Sequence, residues 1–441
     1  MEQVSEKKLM KKITFRLLPV IMGLYVLAYI DRVNVGFAAL TMNKDIGIDA
    51  YTYGVGAGIF FLGYFIFEIP SNIMLAKVGA KKWIARIFFT WGIISSGMVF
   101  VQGANSFYIM RFLLGAAEAG FFPGIILYLT FWFPASYRAR IIAEFMIAIP
   151  IALAVGAPVS MWIMQLDGAL GVKGWQWLFI CEGVPSILAP LAIWKFLPNN
   201  PNEVSWLTDA EKGWLVNALV SDREKVGNAR TDSTVGMALA NPIVWMFGLM
   251  FMATTAANIG LAMFIPQIIK EVGFSSMQTG FITSIPYIIG CAGMVAIGYS
   301  SDRTKERKWH IIGSLLIAAI GLGTAGYFGG SIVSIAALAI ATIGFLGAKS
   351  PLLSLAAGKM AGLGAATGIA IINSVANLGG FVGPWAIGLS KKVTTNFSGG
   401  LYGLAMIAFL GAVLTLIVVR IRTKGPEKVG DNFEPVTAVK P

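Results

Sequence analysis

Apolar and polar positions along this chain come in long blocks, without the two-residue alternation of half-buried strands. Crossing a hydrocarbon layer about 30 Å thick takes about 20 consecutive apolar residues as a helix. Runs of that length fall near 17–40, 54–75, 83–102, 106–132, 141–164 and 176–197. After a polar stretch, six more fall near 243–266, 278–300, 309–329, 331–357, 364–390 and 400–420, with the ninth and tenth parted at Gly329–Ser331. The pattern predicts an all-α integral membrane protein of twelve transmembrane helices in two six-helix bundles. The first bundle covers 1–197, a linker 198–242, the second bundle 243–423 and a polar tail 424–441. In the linker, Thr208-x-x-Glu211 fits a capping box and predicts a short amphipathic helix over 208–221. The tail after Lys424 has the composition of a disordered segment. Lys7, Lys8, Lys11, Lys12 and Arg16 ahead of an apolar run resemble the front of a signal peptide. The run from Leu17 to Leu40 is too long for a signal core and lacks a small-residue cleavage site, so a retained first helix is expected.

Composition strengthens the membrane reading. Charged residues make up 13% of the chain and apolar ones 56%, against about 25% charged in soluble domains. The net charge of +12 would suit nucleic acid, but its distribution points elsewhere. With the N-terminus inside, the segments expected in the cytoplasm hold twenty Lys and Arg and the outer ones five, namely Lys44, Lys173, Lys270, Lys391 and Lys392. Such an excess orients a membrane protein with both termini cytoplasmic and argues against nucleic acid as a partner. One histidine and two cysteines, Cys181 and Cys291, cannot build a haem, diiron or zinc centre. No phosphate-binding glycine loop occurs either. An enzyme is not expected, nor a cofactor beyond a coupling proton. The cysteines read as small core residues, and His310, at a loop edge, as solvated.

The two halves repeat each other. Asn72-Ile-Met-Leu-Ala76-Lys77-Val-Gly79-Ala-Lys81-Lys82 precedes the third span, and Gly298-Tyr-Ser-Ser-Asp302-Arg303-Thr-Lys305-Glu-Arg307-Lys308 precedes the ninth, 226 positions later. The same offset carries Pro158 onto Pro384 and Arg32 onto Asn258. These loops resemble the signature loops of the major facilitator superfamily, although Asn72 and Ala76 replace the usual glycine and aspartate of the first copy. Four first-half motifs, Tyr29-Ile-Asp31-Arg32-Val-Asn34-Val-Gly36, Phe67-Glu68-Ile-Pro70-Ser71-Asn72, Arg111-Phe-Leu-Leu-Gly115-Ala-Ala-Glu118-Ala-Gly120 and Trp175-Gln-Trp177-Leu-Phe-Ile-Cys-Glu182-Gly183, resemble the anion:cation symporter family. Asn373-Ser-Val-Ala-Asn377-Leu-Gly379-Gly380 adds a second-half match. The resemblance covers nearly the whole chain outside the linker and tail. It implies a monomer in a bacterial inner membrane, with the first and fourth helices side by side along one cavity. It also implies a small organic anion as substrate: a tartrate-like or phthalate-like carboxylate or a sugar acid.

Charges at membrane depth are costly and mark function unless they only tie helices together. Asp31 and Arg32 lie about fifteen residues into the first span. Arg111 and Glu118, seven apart on the fourth, share one face. The functional reading makes Arg32 and Arg111 a carboxylate clamp and Asp31 and Glu118 proton carriers, as the resemblance implies; the alternative is a static ion-pair network. Lys349, before Ser350 and Pro351, is either a third cation facing the substrate or a lysine snorkelling to the interface. Tyr29, Tyr64, Asn258, Ser350 and Asn373 are candidate neutral donors and acceptors for the substrate. Lys77, Lys81, Lys82, Asp302 and Arg303 are candidate gating residues. Glu68 and Glu144 are expected to lock the inner gate against basic loops, and Glu182 to be structural. Import of an organic anion with protons is the leading expectation, with exchange, or export of a drug or phosphate ester, as the alternative.

Overall fold

The computed structural model describes residues 5–228, 239–360 and 365–420. The expected tail over 424–441 lies outside the described residues, which contain no strand. The long helices are α1 Glu6–Asp45, α2 Ala50–Val78, α3 Ala80–Phe100, α4 Ala104–Thr130, α5 Ala135–Leu166, α6 Gly174–Phe196, α7 Pro242–Glu271, α8 Ser276–Thr304, α9 Lys308–Tyr327, α10 Ile332–Ala356, α11 Ala365–Thr394 and α12 Ser398–Arg420. All except α11 are long and apolar enough to cross a membrane. α11, 30 residues long, holds Asn373, Asn377 and several glycines in place of an unbroken apolar stretch. Each half of the chain supplies six helices. α1 reaches back to Glu6, because Leu9, Met10 and Ile13 of the basic start are buried against the core.

Three of the long helices are interrupted along their length. α4 breaks directly after Glu118, where Ala119 is extended and Gly120 has φ of 87°. Glycine is required there twice over: the left-handed backbone strains an L side chain, and a Cβ would lie 2.2 Å from Ser71 Oγ. α5 pauses at Ile147, between Ala135–Met146 and Ala148–Ile163. α10 pauses at Ala348, as the sequence suggests: Pro351 has no N–H for the Gly347 carbonyl one turn back.

The halves meet along α2 with α11, α5 with α8, and α1 with α7. Contact is closest at the end away from the termini. A Cβ on Gly54 would sit 2.5 Å from the Pro384 carbonyl. Tyr53 Oη donates to the Met263 carbonyl at 2.9 Å, and Ser284 Oγ to that of Ala154 at 2.8 Å. Lys392 faces Asp49 at 3.9 Å. Toward the termini, Phe121–Thr130 of α4 and Ala135–Met146 of α5 pack chiefly within the first half, and Lys349–Met360 within the second. The bundles therefore close at the far end and part at the end that carries the termini.

The linker docks on the first half. Its helix, Asp209–Asn228, opens with the expected box: Thr208 N–H donates to Glu211 Oε2 at 2.9 Å, and Glu211 N–H to Thr208 Oγ1 at 3.3 Å. Lys12 pairs with Glu211 at 2.7 Å, and Arg138 with Asp222 at 3.8 Å. Trp206 stacks on Trp132 with centroids 5.9 Å apart, under the Arg16 guanidinium. Burial raises the Glu211 carboxyl, but Lys12 and Thr208 together outweigh it and hold the group below its ordinary range. Two minor expectations are corrected. Both cysteines are half-buried, and His310 is held within 3.0 Å of Glu306 Oε2 and of Ser300 Oγ because it lies one turn after Glu306.

Candidate functional site

Successive residues of a helix leave it about 100° apart, so Asp31 and Arg32 point to different places. Arg32 Nη2 donates to Glu118 Oε1, pairing the first and fourth helices at the break in α4. Glu118 and Arg111 are each 1% exposed. Two turns before Glu118, Arg111 Nη2 donates to the Ala57 carbonyl at 3.3 Å. The Phe60 ring serves both guanidiniums, with centroid distances of 5.6 Å to Arg32 and 4.9 Å to Arg111. Tyr29 and Tyr64 add rings 5.5 and 5.6 Å from the Arg32 guanidinium. Such faces attract cations and keep water from the charges. From the second half, Asn258 Nδ2 donates to Tyr29 Oη at 3.4 Å.

Buried polar atoms are almost always paired, yet this centre holds several that are not. Arg32 Nε, Arg111 Nε, Glu118 Oε2, Asn258 Oδ1 and Tyr287 Oη are buried without a partner among the described residues. Unused donors on two arginines suit an added carboxylate, and the free lone pairs of Glu118 Oε2 suit a proton. Sequence reasoning missed Phe60 and Tyr287. The signals were available: Phe60 lies one turn before Tyr64, and the 226 offset places Tyr287 at the Phe61 position of the other half.

The remaining candidates fall elsewhere. Asp31 turns into the first bundle, where its oxygens accept from Ser95 Oγ at 2.8 Å, Ser186 Oγ at 3.0 Å and Asn34 Nδ2 at 3.2 Å. The structure does not join it to the Arg32–Glu118–Arg111 group. Asn373 is exposed, and its amide and that of Asn377 each reach a Glu68 oxygen at 3.4 Å. That corrects the expectation for Glu68. It meets two amides one turn apart on α11 and no basic loop, while Glu144 pairs with Arg140 on its own helix at 2.8 Å. Lys349 is half-buried at the α10 pause and makes no ion pair among the described residues, and Ser350 beside it is exposed. Of the loop residues, Asp302 pairs with Arg307 at 2.6 Å and Lys81 lies over Trp194. No described ion pair of Lys77, Lys81, Lys82, Asp302 or Arg303 crosses between the halves, as expected where the bundles stand apart.

A family model described as Major Facilitator Superfamily matches residues 21–384, from the first span to the middle of α11. The chain belongs to the Major Facilitator Superfamily. As a member it is a multi-pass membrane transporter of a small molecule, lodged in a lipid bilayer, and not an enzyme. Within the superfamily it is 47% identical over 422 residues to a protein of Agrobacterium vitis provisionally named a tartrate transporter, covering 96% of this chain and 94% of that one. It is 42% identical over 414 residues to the quinolone resistance transporter of Acinetobacter baumannii, covering 94% and 95%. These relatives accord with the anion-transporter resemblance and leave the cargo open. The fold is shared with the xylose transporter XylE from E. coli in a partially occluded inward-open conformation. That likeness has a TM-score of 0.72 at 14% identity, covering 91% of this chain and 98% of that one.

Proposed function

We propose that this transporter imports a small organic anion together with protons across a bacterial inner membrane, with both termini in the cytoplasm. The observation that carries the reading is the Arg32–Glu118 pair beside Arg111, at the break in α4, with unpaired donors on both arginines. A substrate carboxylate and the Glu118 carboxylate compete for Arg32. A proton on Glu118 removes one competitor, frees the guanidinium and leaves two arginines for the incoming anion. Deprotonation reverses this: Glu118 recaptures Arg32 and the anion is expelled toward the open end. Burial makes each exchange costly unless the next partner is already present, which links proton to anion. The anion is a dicarboxylate of the tartrate or phthalate kind, or a sugar acid. Arg32 and Arg111 take one carboxylate, and Lys349 on α10, which makes no ion pair among the described residues, takes the second from the other bundle. Tyr29, Tyr64, Asn258, Ser350 and Asn373 hydrogen-bond the remaining oxygens. A tartrate transporter name on a 47% identical relative supports this class.

Thermal unfolding of the purified chain tests the reading, against tartrates, phthalates, aldonates, aromatic monoacids and a quinolone at pH 5.5 and 7.5. A ligand at 100 times its Kd stabilises by about 2.7 kcal/mol. A carboxylate that raises the midpoint more at pH 5.5 than at 7.5 is the expected result, with less effect in Lys349→Ala. A response to the quinolone alone would move the reading to drug export.

A further inference from the structure

A second pair of carboxylates lies inside the first bundle, apart from the two arginines. Asp31 of α1 is 0% exposed and Glu182 of α6 is 5% exposed. Glu182 lies one turn before Ser186, whose hydroxyl Asp31 accepts. Asn34 links the two, donating to Asp31 Oδ1 at 3.2 Å and facing Glu182 as well. Among the described residues, the other polar groups that reach the pair are neutral or acidic. α3 supplies Ser95 and Trp91, α5 supplies Ser160, α6 supplies Ser186, with Cys181 adjacent to Glu182, and α4 supplies the Glu118 carboxylate. Arg32 leaves α1 on another face and is taken by Glu118. Among the described residues neither Asp31 nor Glu182 makes an ion pair.

Two negative charges buried together without a cation are not tolerated when one proton removes the problem. The hydrogen bonds tell the two groups apart. Asp31 receives three donors spread over both oxygens, the surroundings of an ionised carboxylate. Glu182 receives one at short distance, from Ser160 Oγ to Oε1 at 2.7 Å, with the Asn34 amide turned toward it as well, and its Oε2 is buried with no partner among the described residues. The resemblance already implies a proton carrier at Asp31; we infer that its proton is held on the neighbouring Glu182 Oε2, with the charge on Asp31, and that this proton takes part in the transport cycle without touching substrate. The inference rests on the proton-coupled reading above and adds a position to it. Glu118 makes no hydrogen bond to Asp31 but lies within reach of its charge, so the charge that Glu118 loses on protonation is felt at the pair, and loading one site eases release from the other.

Infrared spectroscopy of the full-length substrate-free protein at neutral pH reads the site directly. A buried protonated carboxyl gives a carbonyl stretch, shifted in heavy water, that Glu182→Gln should abolish and Glu118→Gln should leave. A band that survives Glu182→Gln overturns the assignment, and so does a band lost with Asp31→Asn but kept in Glu182→Gln. In proteoliposomes, Glu182→Gln should keep anion exchange and move fewer protons per anion; an unchanged ratio removes the site from the cycle. If the wild-type chain moves no protons with its anion, the import reading fails, while the infrared result still decides where this proton sits.

Discussion

In the proposed import cycle, pH dependence turns on Glu118. Its carboxylate occupies Arg32, so anion affinity should fall as pH rises, because protons and anion favour the same state and Glu118 competes when ionised. Glu118→Gln should flatten that dependence, abolish proton-driven accumulation and spare exchange of anion across the membrane. Radiolabelled uptake and counterflow in proteoliposomes measure both, and loss of exchange with intact binding would refute the proton-carrier role. Arg111 offers a second test. Removing one partner of a buried charged contact costs about 2–5 kcal/mol, or roughly 30-fold or more in affinity, so Arg111→Ala should abolish measurable binding in calorimetry. Retained affinity would refute the clamp. Both residues were legible in the chain, because a charge in a twenty-residue apolar run has few reasons to be there. Phe60 was marked only by its place one turn before Tyr64, since one phenylalanine among 29 carries little else until its ring is seen against two guanidiniums.

Among the elements, α4 is the one whose irregularity matters. Its break places Glu118 at a helix terminus, opposite α1, where freed backbone groups and side chains can rearrange. Gly120→Ala combines a strained φ with a Cβ 2.2 Å from Ser71 Oγ. The expected result is a lower unfolding midpoint, by at least about 1 kcal/mol of strain, and lost uptake. Adding Ser71→Ala should relieve the Oγ contact only, leaving the residue-71 Cβ 2.7 Å away and the strained φ. The far end of α2 gives a milder case. Asp49 caps the helix, accepting from Thr52 N–H at 2.7 Å. Burial raises its carboxyl, but the Thr52 bonds and Lys392 together outweigh that and hold it below the ordinary value. A lowered folded-state value means the contribution is complete at neutral pH and fades only as acid titrates the carboxylate, below about pH 4. Asp49→Ala should cost about 1 kcal/mol and Asp49→Asn much less, as thermal unfolding at pH 7 will record. The chain announced α4 as a single span from 106 to 132. Nothing in its hydropathy marked the break, because Ala119-Gly120 is as apolar as its surroundings.

For the whole molecule, the question is which end opens. Glycines at the α2–α11 seam let the backbones touch at the far end, where a Cβ on Gly54 would meet the Pro384 carbonyl at 2.5 Å. Gly54→Ala should therefore disfavour this closed end and shift the population toward the opposite opening. Spin labels on Lys44→Cys and Lys391→Cys, in a background without Cys181 and Cys291, should report a longer far-end distance. The linker belongs to this scale too. Trp206, Glu211 and Asp222 fasten it to the first half, so it should travel with that bundle as the halves tilt. Trp206→Ala should loosen Lys12 and the linker helix, raising hydrogen exchange there without altering anion affinity.

Read alone, the sequence determined the number and order of the spans, the two-bundle repeat, the linker helix cap and which charged residues lie inside apolar spans. Those follow from local quantities: run length, residue type and spacing decide whether a segment can lie in lipid and which faces it presents. Tertiary structure decided the partnerships. It alone separated Asp31 from Arg32, gave Glu68 to Asn373 and Asn377, paired Arg32 with Glu118 and left Glu182 Oε2 without a donor. A side chain's partner depends on helix rotation and on which helices become neighbours, and both are set by packing between segments tens or hundreds of residues apart. No window along the chain contains that information.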